Sequence, residues 1–280
     1  MSTNENKDKK AEVTALQAIS AEDRKDWISL AFVQAGICVC VPAFLLGALL
    51  AEAMPIWPAI ISGSLGYLIV VVGMVATGMI GCDLGLASCT CCQAGFGKSG
   101  ARFIVSTIFA VNMIGWFGIQ NGVCGEAFSN AMLAMTGWDI PVVVSNTIWG
   151  IIMLLTAVYG VHALEKLDKI SIPLLMIIMC YGTFLAFKVY GTGNLNDEGT
   201  VQSMSFMSGV ALSFNFTAVG TITGPDYTRF QKSRKDTVKS VFYGVFPMGV
   251  ITLIMGIVLT KLSGQYDISM VLIEVGLPLL

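Results

Sequence analysis

The sequence predicts an all-α protein that crosses a membrane several times, and its composition is the first observation behind this fold class. Of the 280 residues, 55% are hydrophobic and only 12% are charged, and the mean hydropathy is +0.76. Soluble domains carry about a quarter charged residues. The net charge of −2 gives no sign of a polyanionic partner, so we expect no nucleic acid to bind.

The second observation is that the apolar residues are grouped into runs long enough to cross a bilayer, which takes about 20 residues per helix. Seven spans are predicted, at about residues 27–51, 56–81, 101–134, 140–160, 170–190, 201–223 and 237–262. Residues 1–26 are polar and charged, which excludes a cleavable signal peptide and predicts a cytosolic tail. Residues 27–280 are predicted to form one membrane domain.

The third observation is the placement of the positive charges. With the N-terminus in the cytosol, all but two of the 16 Lys and Arg residues fall on inner segments, and only Lys188 and Lys261 lie at outer ends. Positive charges concentrate on the cytosolic side of membrane proteins. The sequence therefore predicts a multi-pass protein of the cell membrane with a cytosolic N-terminus.

Two of the predicted spans carry residues that weaken a helix. The first, "SLAFVQAGICVCVPAFLLGALL", contains Gly36 and Pro42, and the sixth, "SGVALSFNFTAVGTITGP", contains Gly209 and Gly220. Backbone groups freed inside a membrane need partners in protein, water or ligand. Interruptions at corresponding positions of two halves are typical of a transporter site near the midplane. The alternative is that these are packing glycines and a tolerated kink.

The third span carries polar and aromatic residues at one-turn spacing. Asn112, Trp116 and Gln120 are four residues apart and are expected on one helix face. An indole can stack on a flat ligand, and a carboxamide offers both a donor and an acceptor to a heterocycle. Gly115 and Gly118 leave room for a ligand or a helix. The alternative is a packed tryptophan with hydrogen bonds between helices.

The sixth span is predicted to unwind at residues 215–218. Phe216 would then form the second face of a sandwich with Trp116, and the freed amides would meet a base edge. After it comes "GPDYTRFQKSRK", in which Gly224-Pro225 is expected to end the helix. Asp226 is expected to cap a short following helix and to pair with Arg229.

The cysteines and the single histidine offer little support for an enzyme or a metal site. Four cysteines fall in "CDLGLASCTCCQ" (Cys82, Cys89, Cys91 and Cys92), but the paired knuckles of a zinc site are missing. Small packing residues are favoured here, with a thiol switch as the alternative. His162 is expected in an inner loop. No HExxH or GxSxG motif occurs, so an enzyme is not expected.

Four short motifs carry a resemblance to a known family. They are "LAFVQAG" (30–36), "GFGKSGARF" (95–103), "GWFG" (115–118) and "PDYTRF" (225–230). In these motifs the chain resembles the nucleobase–cation symporter-1 family, and especially its bacterial cytosine permease branch. The resemblance implies a LeuT-type fold of two inverted five-helix repeats, at about residues 27–190 and 201–280, with alternating access. The eighth span would begin where this chain stops, so a fragment with an incomplete second repeat is expected.

The resemblance also implies a set of site residues. It places a substrate between Trp116 and Phe216, with Gln120 beside it. Asn112, Asn215 and Ala218 are further substrate-binding candidates. The coupling ion would be Na⁺ or next H⁺, and the sodium site would use the backbone carbonyls of Gly36 and Val39. Pro225, Asp226, Tyr227 and Arg229 would form a cytosolic hinge motif. Cys40 stands where some relatives place a polar ligand.

The sequence thus predicts a secondary active importer of a nucleobase, cytosine first, with no cofactor beyond the coupling ion. One alternative is a carrier of a purine, hydroxymethylpyrimidine or allantoin. Another is a transport-inactive, receptor-like membrane protein. The bilayer and the small-molecule substrate are the expected partners, and the oligomeric state is not predicted.

Overall fold

The structure is a computed structural model that describes residues 16–158, 160–196 and 204–277, with only the backbone described at 158, 160–166, 194 and 196. Within these ranges the regular structure is helical, apart from one isolated backbone bridge between Lys25 and Gln231. Most of the predicted tail lies outside the described residues.

The first span is broken, as predicted. Helix α1 (Trp27–Cys38) and helix α2 (Val41–Ala53) meet at an angle of 52°. Pro42 lies in the first turn of α2, where its missing N–H costs no hydrogen bond and its fixed φ suits a helix start. The chain leaves the helical region at Val39 and Cys40, three residues beyond Gly36. Proline therefore sets the position of the break.

The remaining helices follow in chain order. They are α3 (Ile56–Leu84), α4 (Ser88–Cys91), α5 (Gln93–Gly100), α6 (Ser106–Thr136), α7 (Val142–Val158), α8 (Gly160–Tyr190), α9 (Phe206–Thr228), α10 (Arg234–Ser263) and α11 (Ile268–Glu274). A π-helical turn (Ala101–Val105) joins α5 to α6.

Five stretches of the described residues are long and apolar enough to cross a membrane, and the α1–α2 pair makes a sixth. The five are Ile56–Leu84, Gln93–Thr136, Leu167–Tyr190, Phe206–Thr228 and Arg234–Ser263. The predicted fourth span corresponds to α7, which is apolar but only 17 residues long. The chain is a multi-pass membrane protein.

The loop predicted around His162 is wrong, because α8 begins at Gly160. The sequence from Ala163 to Lys169 is rich in Ala, Leu, Glu and Lys, which favour helix. No glycine or proline follows until Pro173, so nothing in this stretch ends the helix. The fifth span therefore extends further toward the predicted cytosolic side than its hydropathy indicated.

The predicted unwinding of the sixth span is also wrong, since α9 is continuous across residues 215–218. Its small residues lie against α3 instead. A Cβ built on Gly209 would lie 2.7 Å from the Ser62 Oγ, and the Ser213 Oγ donates to the Gly63 carbonyl at 2.7 Å. The glycines thus serve close helix packing, which is the alternative that the sequence left open.

Gly224-Pro225 does not end α9, which continues to Thr228. Proline cannot donate to the carbonyl four residues earlier, which is that of Thr221. The Thr77 hydroxyl of α3 donates to this carbonyl at 2.6 Å. The donor from α3 satisfies this carbonyl, and the helix passes through the proline without a break.

The core lies where α3 packs against α9 and α10, and α1 and α2 also pack against α10. Tyr67 of α3 is fully buried, and its ring fills the space that a side chain at Gly249 of α10 would need. Helix α6 lies outside this core and packs mainly against α7. In the most apolar part of the stretch Gln93–Thr136, which includes α6, only 6% is buried within the protein, against 44% in α3.

Candidate functional site

Trp116 and Phe216 are brought together, as predicted, although not as two parallel faces. Trp116 projects from α6 and Phe216 from α9, with ring centroids 5.2 Å apart and ring planes at 86°. The rings therefore meet edge to face, a favourable aromatic geometry. A flat ligand between two parallel rings needs about 7 Å between their planes. A sandwich would require one ring to turn and the pair to separate.

Gln120 reaches the break in the first span. Its side chain lies close enough to the thiol of Cys40, one of the two residues between α1 and α2, to interact with it electrostatically. Both residues are partly buried. A polar pair thus lies one helical turn from the Trp116 ring, on the side of α6 that faces the broken helix.

Asn112 is exposed, and no hydrogen bond of its side chain is found in the described part of the chain. Eight residues of regular helix turn the side chain about 80° away from Gln120. The space beside Gly115 and Gly118 is open, since a Cβ built on either glycine meets no atom within 4 Å. The predicted face is therefore divided, with Trp116 and Gln120 directed inward and Asn112 at its edge.

The substrate-binding roles of Asn215 and Ala218 stay predictions, but these residues do not act through an unwound main chain. Their main-chain amides belong to the regular helix α9, so they are not freed to meet a base edge. Asn215 lies about 100° around the helix from Phe216, and its side chain is exposed. The predicted role of the unwound amides is therefore wrong.

The backbone of the break leaves carbonyl groups free. The Val39 N–H donates to Ala35 O at 2.9 Å, and the Ala43 N–H donates to Cys40 O at 3.0 Å. These bonds leave the carbonyls of Gly36 and Val39 without a donor among the described residues. Unwound carbonyls at a broken helix are groups that bind Na⁺ in transporters. The two residues therefore fit the predicted first-span half of an ion site.

Asp168 is a residue that the sequence analysis missed. A Cβ built on Gly36 would lie 3.1 Å from the carboxyl carbon and from both carboxylate oxygens of Asp168. The side chain comes from α8 and is partly buried. An acidic residue at the start of a span was the available signal, but the predicted span began two residues later.

The "PDYTRF" motif ties the end of α9 to its neighbours. The Asp226 carboxylate accepts the Ser88 N–H at 3.0 Å, at the start of α4, so the prediction that it caps a following helix is wrong. The Thr228 hydroxyl donates to Gly78 O at 2.7 Å, and Lys25 N–H donates to Phe230 O at 2.7 Å. Pairing of Asp226 with Arg229, and the hinge role, stay predictions.

A cavity of about 260 Å³ lies between this motif and α1. Its walls include Leu30 and Val33 of α1, Met113 of α6, and Tyr227 and Arg229. Met113 is one turn before Trp116 on α6. The cavity therefore lies between the aromatic pair and the predicted cytosolic face.

The cysteine cluster has the properties of a packing element. Burial raises the pKa of the Cys91 thiol and that of the Cys92 thiol. The nearby Cys89 and Asp226 raise the pKa of Cys92 further. A raised pKa lowers the thiolate fraction, which is the reactive form. In the described ranges, no group of three or more potential metal ligands is found.

Comparison with known proteins identifies the family of this chain. Residues 19–275 match the family described as permeases for cytosine/purines, uracil, thiamine and allantoin. The chain is 28% identical to the cytosine permease of Escherichia coli K12 over 91% of its own length. It is 25% identical to the purine-uracil permease NCS1 of Arabidopsis thaliana over 79%, and 23% identical to the allantoin permease of Bacillus subtilis over 80%.

The chain spans only 59%, 41% and 50% of these three relatives. Two solved structures share its fold. Mhp1, a nucleobase-cation-symport-1 family transporter, in a closed conformation with bromovinylhydantoin bound, has a TM-score of 0.83 at 18% identity, covering 94% of this chain and 61% of that one. Inward-facing Mhp1 has a TM-score of 0.76 at 16% identity, covering 93% and 59%. The chain thus has the LeuT-type fold of these structures, and its family match shows that it belongs to the nucleobase–cation symporter-1 family of permeases.

Proposed function

We propose that the protein is a secondary active importer of a nucleobase, cytosine first, coupled to Na⁺ or next to H⁺. The observation that carries the proposal is the convergence of three features at one place. An aromatic pair, Trp116 and Phe216, lies beside a polar pair, Gln120 and Cys40, at the break in the first span. A flat, polar-edged heterocycle is the ligand that such a site fits.

The indole of Trp116 supplies the stacking surface in this proposal. Phe216 turns from its edge-on position to cover the other face of the substrate ring, a movement that needs no change in the backbone of α9. The carboxamide of Gln120, which lies beside the Cys40 thiol, forms hydrogen bonds to the substrate edge. Stacking on an aromatic side chain is worth about 1–3 kcal/mol per base.

The coupling ion binds at the free carbonyls of Gly36 and Val39. Ion and substrate then act on the same element, because Cys40 and these carbonyls belong to one helix break. Their combined binding favours the conformation in which both sites are formed. This arrangement couples the two solutes without direct contact between them.

The names of the relatives support a nucleobase-like substrate but do not identify which compound this protein carries. They are permeases for cytosine, for purine and uracil, and for allantoin. All are small heterocycles with adjacent donors and acceptors, so one stacking site can serve each. The predicted cytosolic N-terminus and cell-membrane location belong to the same proposal.

The test is uptake of radiolabelled cytosine by cells producing the full chain, with sodium present or replaced by choline. We expect uptake that depends on sodium or on the proton gradient, and competition by unlabelled nucleobases. A panel of adenine, uracil, hydroxymethylpyrimidine and allantoin identifies the preferred ring. Failure of every member to compete would overturn the substrate class. Saturable binding without uptake would instead assign the chain a receptor-like role.

A further inference from the structure

The carboxylate of Asp168 lies against the broken first span. Its carboxyl carbon and both oxygens are 3.1 Å from the position of a Cβ on Gly36, so the space beside Gly36 is filled by the carboxylate. Glycine is the residue that permits this approach. In the described part of the chain, Asp168 has no hydrogen-bond or ion-pair partner.

The groups around this carboxylate are negative or electron-rich. Helix α1 ends two residues after Gly36, and the C-terminal end of a helix carries a partial negative charge. The Gly36 and Val39 carbonyls have no donor, as described above. The Tyr227 hydroxyl is also near enough for the Asp168 carboxylate to act on it. A carboxylate in such a place is costly unless a cation compensates it.

Asp168 also lies within the membrane-spanning part of α8, at its predicted cytosolic end. Acidic side chains in spans are rare and are associated with ion pathways. A hard monovalent cation is bound by carboxylate and carbonyl oxygens, and both are present here. The carboxylate belongs to the fifth span, so it supplies a ligand from the same repeat as the break.

The geometry points to Asp168 as a side-chain ligand for Na⁺, acting together with the carbonyls of the α1–α2 break. This inference rests on the ion coupling in the proposed function and adds a charged ligand that the resemblance did not imply. The carboxylate neutralises the bound ion and joins α8 to the broken helix when the ion is present. Loss of the ion releases that link on the predicted cytosolic side.

The test is thermal unfolding of the purified full chain in detergent while NaCl replaces choline chloride at constant ionic strength. We expect Na⁺ to raise the melting temperature in a saturable way. Asp168→Asn should raise the NaCl midpoint about tenfold or more, since loss of a ligand or its support costs about 10- to 100-fold in affinity. Asp139→Asn is the matched control, because Asp139 is exposed, and it should leave the midpoint unchanged.

Two further variants keep the test decisive if Asp168→Asn does not fold. Asp168→Glu retains the charge and should retain a measurable Na⁺ response. Gly36→Ala pushes a methyl group toward the carboxylate and should weaken the response. An unchanged NaCl midpoint in Asp168→Asn, or in Gly36→Ala when the former is unfolded, would overturn the inference, as would a wild-type chain that does not respond to Na⁺.

Labelled cytosine binding, measured on the same preparations, separates this inference from the proposed function. Sodium-enhanced cytosine binding that Asp168→Asn leaves unchanged overturns the Asp168 ligand and leaves the nucleobase site standing. Absence of nucleobase binding in the wild-type chain, with a sodium response that depends on Asp168, would overturn the proposed function alone.

Discussion

The first span and α9 both contain residues that weaken a helix, but only the first span is broken. Each contains glycines and one proline, and in each the carbonyl four residues before the proline receives no hydrogen bond from the proline nitrogen. In both, a threonine hydroxyl from a neighbouring helix donates to that carbonyl. Thr252 reaches Cys38 O at 3.2 Å, and Thr77 reaches Thr221 O at 2.6 Å. Yet the first span breaks at Val39–Cys40, and α9 is continuous.

The difference lies in what surrounds each proline. Pro42 lies in the first turn of a new helix, a position that suits it, and the two residues before that helix leave the helical region. Pro225 lies near the end of α9, pressed onto Gly81 of α3. Close contact with α3 holds α9 straight along its length. The comparison teaches that a neighbouring helix decides whether glycine and proline break a span.

The largest expected effect on this comparison comes from the contact between α3 and α9. A Cβ on Gly81 would collide with main-chain atoms of Pro225, which cannot move as a side chain can. Gly81→Ala should lower the free energy of unfolding by about 1–3 kcal/mol, toward the upper end of that range. Thermal denaturation in detergent measures it. Gly122→Ala is the control, because a Cβ there meets nothing within 4 Å, and equal stability of the two variants would contradict the account.

The second prediction concerns the break itself. Pro42→Ala returns an N–H donor and allows α1 and α2 to join, which would commit the free carbonyls to helical bonds. We expect sodium-dependent cytosine uptake to fall about tenfold, a change of 1.4 kcal/mol. Pro247→Ala changes a proline inside the continuous helix α10 and should preserve uptake. Wild-type uptake by Pro42→Ala would show that the break does not depend on its proline.

The third prediction compares the two threonines. Thr77→Val removes the short bond to Thr221 O and leaves a partly buried acceptor unsatisfied, so it should cost about 1–3 kcal/mol in stability. Thr252→Val should cost less, because the Thr252 hydroxyl is nearer to Met248 O and Gly249 O of its own helix, at 3.0 and 2.9 Å, than to Cys38 O. The Thr77 hydroxyl is instead nearer to Thr221 O than to the carbonyls of its own helix, which lie at 3.2 and 3.3 Å. Melting temperatures of the two variants test the order. The reverse order would contradict the assignment of Thr221 O as the main acceptor of the Thr77 hydroxyl.

The smallest effect is expected at the cysteine cluster, outside both helices. Because burial raises the pKa values of Cys91 and Cys92, their thiolates form at higher pH than those of unfolded thiols. Alkylation by iodoacetamide, followed by mass spectrometry, should therefore be slower in the folded chain near pH 8 than in the denatured chain. Faster alkylation of the folded chain would favour the thiol switch.

Much of the fold could be predicted from the sequence because hydropathy and length are local properties. The break in the first span was predicted for the same reason, since Pro42 acts on its own helix. The continuity of α9 could not be predicted, because the Ser213–Gly63 bond joins residues 150 positions apart. The early start of α8 was missed because its first turns are charged while its backbone is helical.

The candidate site was predictable in part for similar reasons. Trp116 and Gln120 share one helix, so their spacing indicated a common face. Asp168 and Gly36 lie on different helices, and nothing in either local sequence indicates the other. The contact of Gln120 with Cys40 likewise depends on where the broken helix turns. Pairings between helices are set by packing, which one sequence does not show.

The measurement that tests the central claim most directly is equilibrium binding of labelled cytosine by the purified full chain. Trp116→Ala is compared with Trp138→Ala, whose indole is 70% exposed beyond the end of α6. The account predicts saturable binding that Trp138→Ala preserves and that Trp116→Ala weakens about tenfold or more, the loss expected when a base loses its stacking surface. Equal affinity of Trp116→Ala and the wild-type chain would contradict it.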